Sequence, residues 1–171
     1  MMYQAIYVLP IELTVLLVIG VLLFWRDLRL IARRDHSRMW RIFCAAGLLL
    51  WMLLVLHMTH FSRSVSDQEP HWIPFYQIYT VLTGGNRELL RSAWMNFLLF
   101  IPGGVLAFDV LPGKRGLFAW TASAALFSTA IELAQWLLHH GLTETDDILA
   151  NTAGAAAGFL LAKLFADSKN L

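Results

Sequence analysis

The chain reads as an all-α membrane protein: a polytopic bundle of about five transmembrane helices, with an interfacial or re-entrant segment between the second and third. Three observations carry that reading. Of 171 residues, 58% are hydrophobic and only 15% charged, too little charge to cover a soluble domain of this length. Apolar runs recur at Tyr7–Trp25, Ile42–Phe61, Trp94–Leu111, Leu117–Leu138 and Ile148–Ala166, each near the roughly 20 residues that cross a bilayer core as a helix. The runs are rich in Leu and Ala and lack period-two alternation, which argues against strands. Residues 1–171 are therefore taken as one domain with no soluble module.

The first run does not look like a cleavable signal, because no basic region precedes it and no small-x-small site follows it. Positive charge comes after it, in "WRDLRLIARRDHSRMWR". The second run holds Cys44, the only cysteine. An internal disulfide and a Cys-based zinc cluster are thereby excluded, and a packing role is expected.

Between the second and third runs lies "EPHWIPFYQIYTVL", with Trp72, Phe75, Tyr76 and Tyr79 set around two prolines. It is too short and broken to span. Aromatic residues of this kind settle at headgroup level, so the segment is expected to lie at the interface or re-enter and cover a pocket. "NRELLRS" follows as a short amphipathic turn into the third span.

Loop charge sets the expected orientation. Arg26, Arg29, Arg33, Arg34, Arg38, Arg41, Lys114, Arg115, Lys163 and Lys169 fall on one side, against Arg63, Arg87 and Arg91 on the other. Ten against three places the N-terminus outside and the C-terminus in the cytoplasm. The first basic loop is read as a topological anchor. A net charge of +1 makes no case for nucleic acid as a partner.

The third, fourth and fifth runs share one design. Helical spacing aligns Thr121, Ala125, Ser128, Glu132, Gln135 and His139 on the fourth, small at the inner end and polar at the outer. The fifth follows Glu144 and Asp146 with Asp147, Asn151, Gly154 and Gly158, and its "GAAAG" permits close backbone approach. The third has Asn96, Gly103 and Ala107, with Pro102 expected to bend it. Packed by their small faces, the three would gather their polar ends outside. A carboxylate facing hydrocarbon costs about 2.5–3.5 kcal/mol or more at the bilayer centre. Glu132 is therefore expected to face protein. Single groups have plainer roles: Asn96 or Gln135 could only bond helices together, and Asp147 could cap the fifth helix.

His57, His60, His71, His139 and His140 fall on the same side as Glu132. They show no HExxH or other defined ligand pattern, so no metal is assigned. Ser128 lacks the GxSxG context of an activated serine. Which cofactor, if any, the chain uses stays open.

The strings "HWIPFYQIY", "NFLLFIPGGVLAF", "IELAQ" and "TETDDILANTAGAAAG", in this order from residue 71 to 158, resemble the VanZ-like family of bacterial membrane proteins. That resemblance implies a multi-pass protein of the bacterial inner membrane, in a family that includes a protein conferring low-level teicoplanin resistance. It marks Pro74, Phe75, Asn96, Pro102, Glu132, Gln135, Asp146, Asp147 and Asn151. Many relatives carry an arginine where this chain has Gly141. Its cationic role would pass to His139 or His140, or to Arg63, Arg87 or Arg91.

Glu132 and Asp147, supported by Asp146, are the candidate catalytic carboxylates. Within such a set one carboxyl can give a proton while another takes one. Gln135, Asn151, Asn96, His139, Trp72 and Phe75 are the candidate binding residues. The expected partners are membrane lipids and a lipid-linked or peptidoglycan-precursor ligand. Whether the chain turns a substrate over stays open. The alternative is a non-enzymatic membrane adaptor whose polar cluster only fixes helix packing. A small transporter fits less well, because the acidic groups crowd one end and no inverted repeat is visible.

Overall fold

A computed structural model describes residues 11–32, 37–61, 69–84, 87–111, 114–139 and 142–167. Within these residues six α-helices follow one another: α1 Ile11–Ala32, α2 Ser37–Leu56, α3 Tyr76–Gly84, α4 Arg87–Val110, α5 Lys114–Leu138 and α6 Thr145–Asp167. A π-helical turn, His57–Phe61, extends α2. Among the described residues, four stretches are long and apolar enough to cross a membrane: Arg38–Thr59, Leu90–Val110, Arg115–Leu138 and Thr145–Asp167. Helix α1, 22 residues long, is the fifth long helix. Large apolar side chains such as Phe24, Leu50, Phe118, Leu126 and Leu164 point outward and exposed. A soluble bundle would bury such faces; a bilayer covers them.

Helix α4, which touches every other helix, packs most closely on α6. The α6 glycines meet α4 backbone to backbone: a Cβ at Gly154 would run into the Phe97 carbonyl oxygen, and one at Gly158 into that of Ile101. Both pairs advance by one turn in the same direction, so α4 and α6 run parallel. Trp120 Nε1 donates to Ala155 O (3.2 Å) and Asn151 Nδ2 to Ser128 Oγ (2.8 Å), which sets α5 antiparallel to α6. Buried Ala155, Phe159, Phe100 and Ala107 fill the seam beside Trp51 and Trp120.

The small-face packing expected of the last three spans is therefore present, with one change of residue. Gly103 turns to α2, where a Cβ would stand 2.7 Å from the Trp51 ring. Its neighbour Gly104 is the one against α6, at Ala155 O. Steps of three and four from Asn96 reach both glycines, and spacing alone could not choose between them. "NRELLRS" also differs from expectation: Arg87–Ser92 is the first part of α4 itself. Pro102 lies within α4, whose helical run from Arg87 to Val110 is unbroken.

The expected first span began at Tyr7, in residues outside those described. The helix then runs past Trp25 to Ala32. The reason lies on α4, where Asp109 Oδ2 accepts Trp25 Nε1 (3.0 Å) and Trp40 Nε1 (2.9 Å). Arg29 Nε pairs with Asp109 Oδ1 at 3.0 Å, its guanidinium 5.3 Å from the Trp25 ring and 5.0 Å from that of Phe108. One carboxylate thus ties α1 and α2 to α4. Cys44 is fully buried on α2, in keeping with a packing role.

Candidate functional site

At the other end of the bundle the polar residues of α5 and α6 meet α3. Helix α3 has no capping side chain of its own, since Phe75 precedes Tyr76 and Phe75 takes a positive φ of 63°. The cap comes from α6. Asp146 Oδ1 accepts the Phe75 N–H and Oδ2 the Gln77 N–H (2.7 Å). Just before α3, the His71 N–H donates to Thr143 O (2.9 Å) and His71 O accepts the Thr145 N–H (3.1 Å). This short parallel bridge fastens the segment before α3 to the one before α6.

Gln77 is the inward side chain of α3, 2% exposed. Its Nε2 donates to Glu144 Oε2 (2.7 Å) and Asp147 Oδ1 (3.3 Å). Glu144 Oε1 lies 3.3 Å from His71 Nδ1. Glu132, buried on α5, accepts the Glu144 N–H at Oε2 (3.0 Å). Three carboxylates, Glu132, Glu144 and Asp147, are thereby linked through one amide and one backbone N–H, and Asp146 lies beside them on the α3 terminus.

One turn further along α6, the Asn151–Ser128 bond crosses to α5. Gln135 Nε2 donates to Thr59 O (2.9 Å), a carbonyl within the π-helical turn. Such a turn takes backbone groups out of the regular helical ladder and leaves a carbonyl for a neighbour. Among the described residues, three buried side-chain atoms have no partner: Gln77 Oε1, Asn151 Oδ1 and Asn96 Nδ2.

With this geometry in place the family is decided by a model described as VanZ/LLP1, which matches residues 43–166. The chain belongs to the VanZ/LLP1 family. No curated protein and no solved structure matches it. The VanZ/LLP1 match starts inside α2 and ends in α6, so it contains the whole cluster but not α1.

The VanZ/LLP1 fold brings together Glu132, Asp147, Asp146 and Asn151, with Gln135 beside them at the π turn. Asn96 is buried on α4, next to the Phe97 that packs on Gly154. Phe75 contributes its backbone rather than its ring, which is exposed. Trp72 is exposed, edge-on to Trp136 at 6.1 Å. His139, with φ 53°, ends α5 exposed, outside the hydrogen bonds of the cluster. His57 is also exposed, and no group of three or more His, Cys, Asp or Glu among the described residues is placed to hold a metal ion. Arg63, His140, Gly141 and the side chains of His60 and Arg87 lie outside the described residues.

Two residues of the cluster were not among the site candidates read from sequence. Glu144 stood in the acidic run but off the α6 stripe, since it precedes the helix. Gln77 sat in a segment read for its aromatics. Its signal was there: one amide among four aromatic rings in a stretch assigned to the membrane interface.

Proposed function

We propose that this VanZ/LLP1 protein binds the polar headgroup of a cell-envelope lipid or lipid-linked precursor at the α3 end of the bundle. The observation that carries the reading is the unpartnered amide oxygen of Gln77, whose nitrogen bonds two of the linked carboxylates, with further unpartnered amide atoms on Asn151 and Asn96 deeper in the bundle. A buried polar atom without a partner costs about 1–3 kcal/mol, and ligand contact is a way to recover it. The exposed rings of Trp72, Phe75 and Tyr79 suit an amphiphile arriving from the bilayer. Loop charge puts this end on the outer face, where envelope chemistry takes place. Glu132 and Asp147 are the groups that would hold or move a proton on such a headgroup, and an effect on teicoplanin susceptibility would follow if the ligand is a precursor.

The test is native mass spectrometry of lipids retained by the full chain, with Glu132→Gln and Asp147→Asn compared. Enrichment of one lipid over the host membrane, lost in both variants while folding is kept, supports the site. No enrichment, together with an unchanged envelope phenotype in both variants, favours the adaptor. That second reading has its own support, since Asp146 and Gln77 already serve to hold α3. Orientation is checked separately in a Cys44→Ala background. A cysteine at exposed His139 should react with an impermeant reagent on intact cells, and one at exposed Arg38 should not.

A further inference from the structure

Gln77 says more about the ligand than the carboxylates do. Both hydrogens of its Nε2 are committed, to Glu144 Oε2 at 2.7 Å and Asp147 Oδ1 at 3.3 Å. Turning the amide over would set its oxygen against two carboxylate oxygens, so the orientation is fixed by its surroundings. Oε1 is therefore an acceptor on an amide whose nitrogen is held by two carboxylates, on a side chain 98% buried, with nothing donating to it. Asn151 differs. Its Nδ2 lies on a serine hydroxyl, which can give or take a hydrogen bond, so either amide orientation is tolerated there.

Resting on the headgroup site of the preceding section, we propose that Gln77 Oε1, with the carboxylates of Glu144 and Asp147, binds a primary ammonium group. An ammonium presents three N–H donors and a positive charge, and each carboxylate oxygen can accept a second bond. A phosphodiester brings only further acceptors. A trimethylammonium has the charge but no N–H, and a hydroxyl has one donor and no charge. The acceptors around Gln77 therefore favour an ammonium over all three.

The experiment places the full chain in nanodiscs containing equal parts of phosphatidylethanolamine, phosphatidylcholine and phosphatidylglycerol, and counts the lipids carried into native mass spectrometry. Retention of phosphatidylethanolamine about tenfold over phosphatidylcholine is expected, the effect of one good charged hydrogen bond. Gln77→Met should erase the preference. Because that change also removes two bonds holding α3, Gln77→Lys is the companion. Its own ammonium would occupy the same carboxylates, keeping the fold while abolishing the preference. Free ethanolamine, with choline as control, identifies the source: displacement of the lipid by ethanolamine alone means that the amine itself is recognised, and lack of displacement ties recognition to the lipid. Equal retention of the two zwitterionic lipids, a preference for phosphatidylglycerol, or a preference that survives in Gln77→Lys overturns the ammonium assignment but leaves a headgroup site. No selective retention of any lipid overturns the site itself.

Discussion

The bundle has a buried polar centre at each end, and the two are built on different terms. At Asp109 one carboxylate receives three donors from two other helices, a cation among them. At the α3 end, carboxylates and amides interlock yet leave Gln77 Oε1 and Asn151 Oδ1 without donors, and Asn96 Nδ2 without an acceptor. The register of α4 on α6 places Asp109 level with Ala166, about 19 residues from Asp147, or about 28 Å. That is close to the ~30 Å hydrocarbon core. The two centres are thus about one hydrocarbon-core thickness apart along the bundle. The difference teaches how to separate scaffold from site: a scaffold pairs what it buries, whereas a site holds polar atoms in reserve.

Both centres depend on the α4–α6 seam, and breaking the seam should remove the distinction altogether. Gly154→Leu and Gly158→Leu force side chains into the Phe97 and Ile101 carbonyls, where only the helices themselves can give way. A loss at or above the ~3 kcal/mol upper range for overpacking is expected, seen as aggregation and a lost folded peak in detergent. Gly20→Leu is the control, because nothing lies within 4 Å of a Cβ there. Unchanged unfolding in both seam variants would mean that the helices are not held this way.

The next test compares the ends directly. Asp109→Ala leaves Arg29 without its carboxylate and two indole N–H groups without an acceptor. Arg29 is 18% exposed and partly solvated, so the expected cost is about 2–3 kcal/mol, below that of a fully buried pair. Glu132→Gln and Asp147→Asn keep an acceptor oxygen for the Glu144 N–H and for Gln77 Nε2. They should change thermal stability by less than about 1 kcal/mol while reducing retained ligand. If instead Asp109→Ala is tolerated and the other two unfold the chain, the scaffold and the site are the other way round.

Much of the molecule was readable from sequence. Run lengths gave the long helices, and small-residue spacing gave the α4–α6–α5 seam. The polar stripe foretold the burial of Ser128, Glu132 and Gln135. What escaped depends on contacts between distant segments. Asp109 lies in an apolar helix and finds its partners 69 and 84 residues away. The cap of α3 comes from Asp146, 71 residues from Phe75. Helical periodicity describes one face of one helix and carries no information about which segment completes it. That is why Gln77 and the choice between Gly103 and Gly104 needed the assembled bundle.

The smallest expected effect concerns Ser128, and it separates support from chemistry within the α3 end. Ser128 Oγ is 2.8 Å from Asn151 Nδ2 and fully buried. Hydrogen bonds between membrane helices average about 0.6 kcal/mol, because the separated helices find other partners in the membrane. Ser128→Ala should therefore lower stability by about that amount. The main consequence lies on Asn151, whose side chain would then lack a partner at both ends and lose its fixed position. Ligand retention should weaken only in proportion to that loss of order, about twofold, and Ser128→Thr, which keeps the hydroxyl, should restore it. A Ser128→Ala variant with unchanged stability but no measurable function would instead make the hydroxyl a reacting group. In that event the serine would replace Glu132 and Asp147 at the centre of the mechanism.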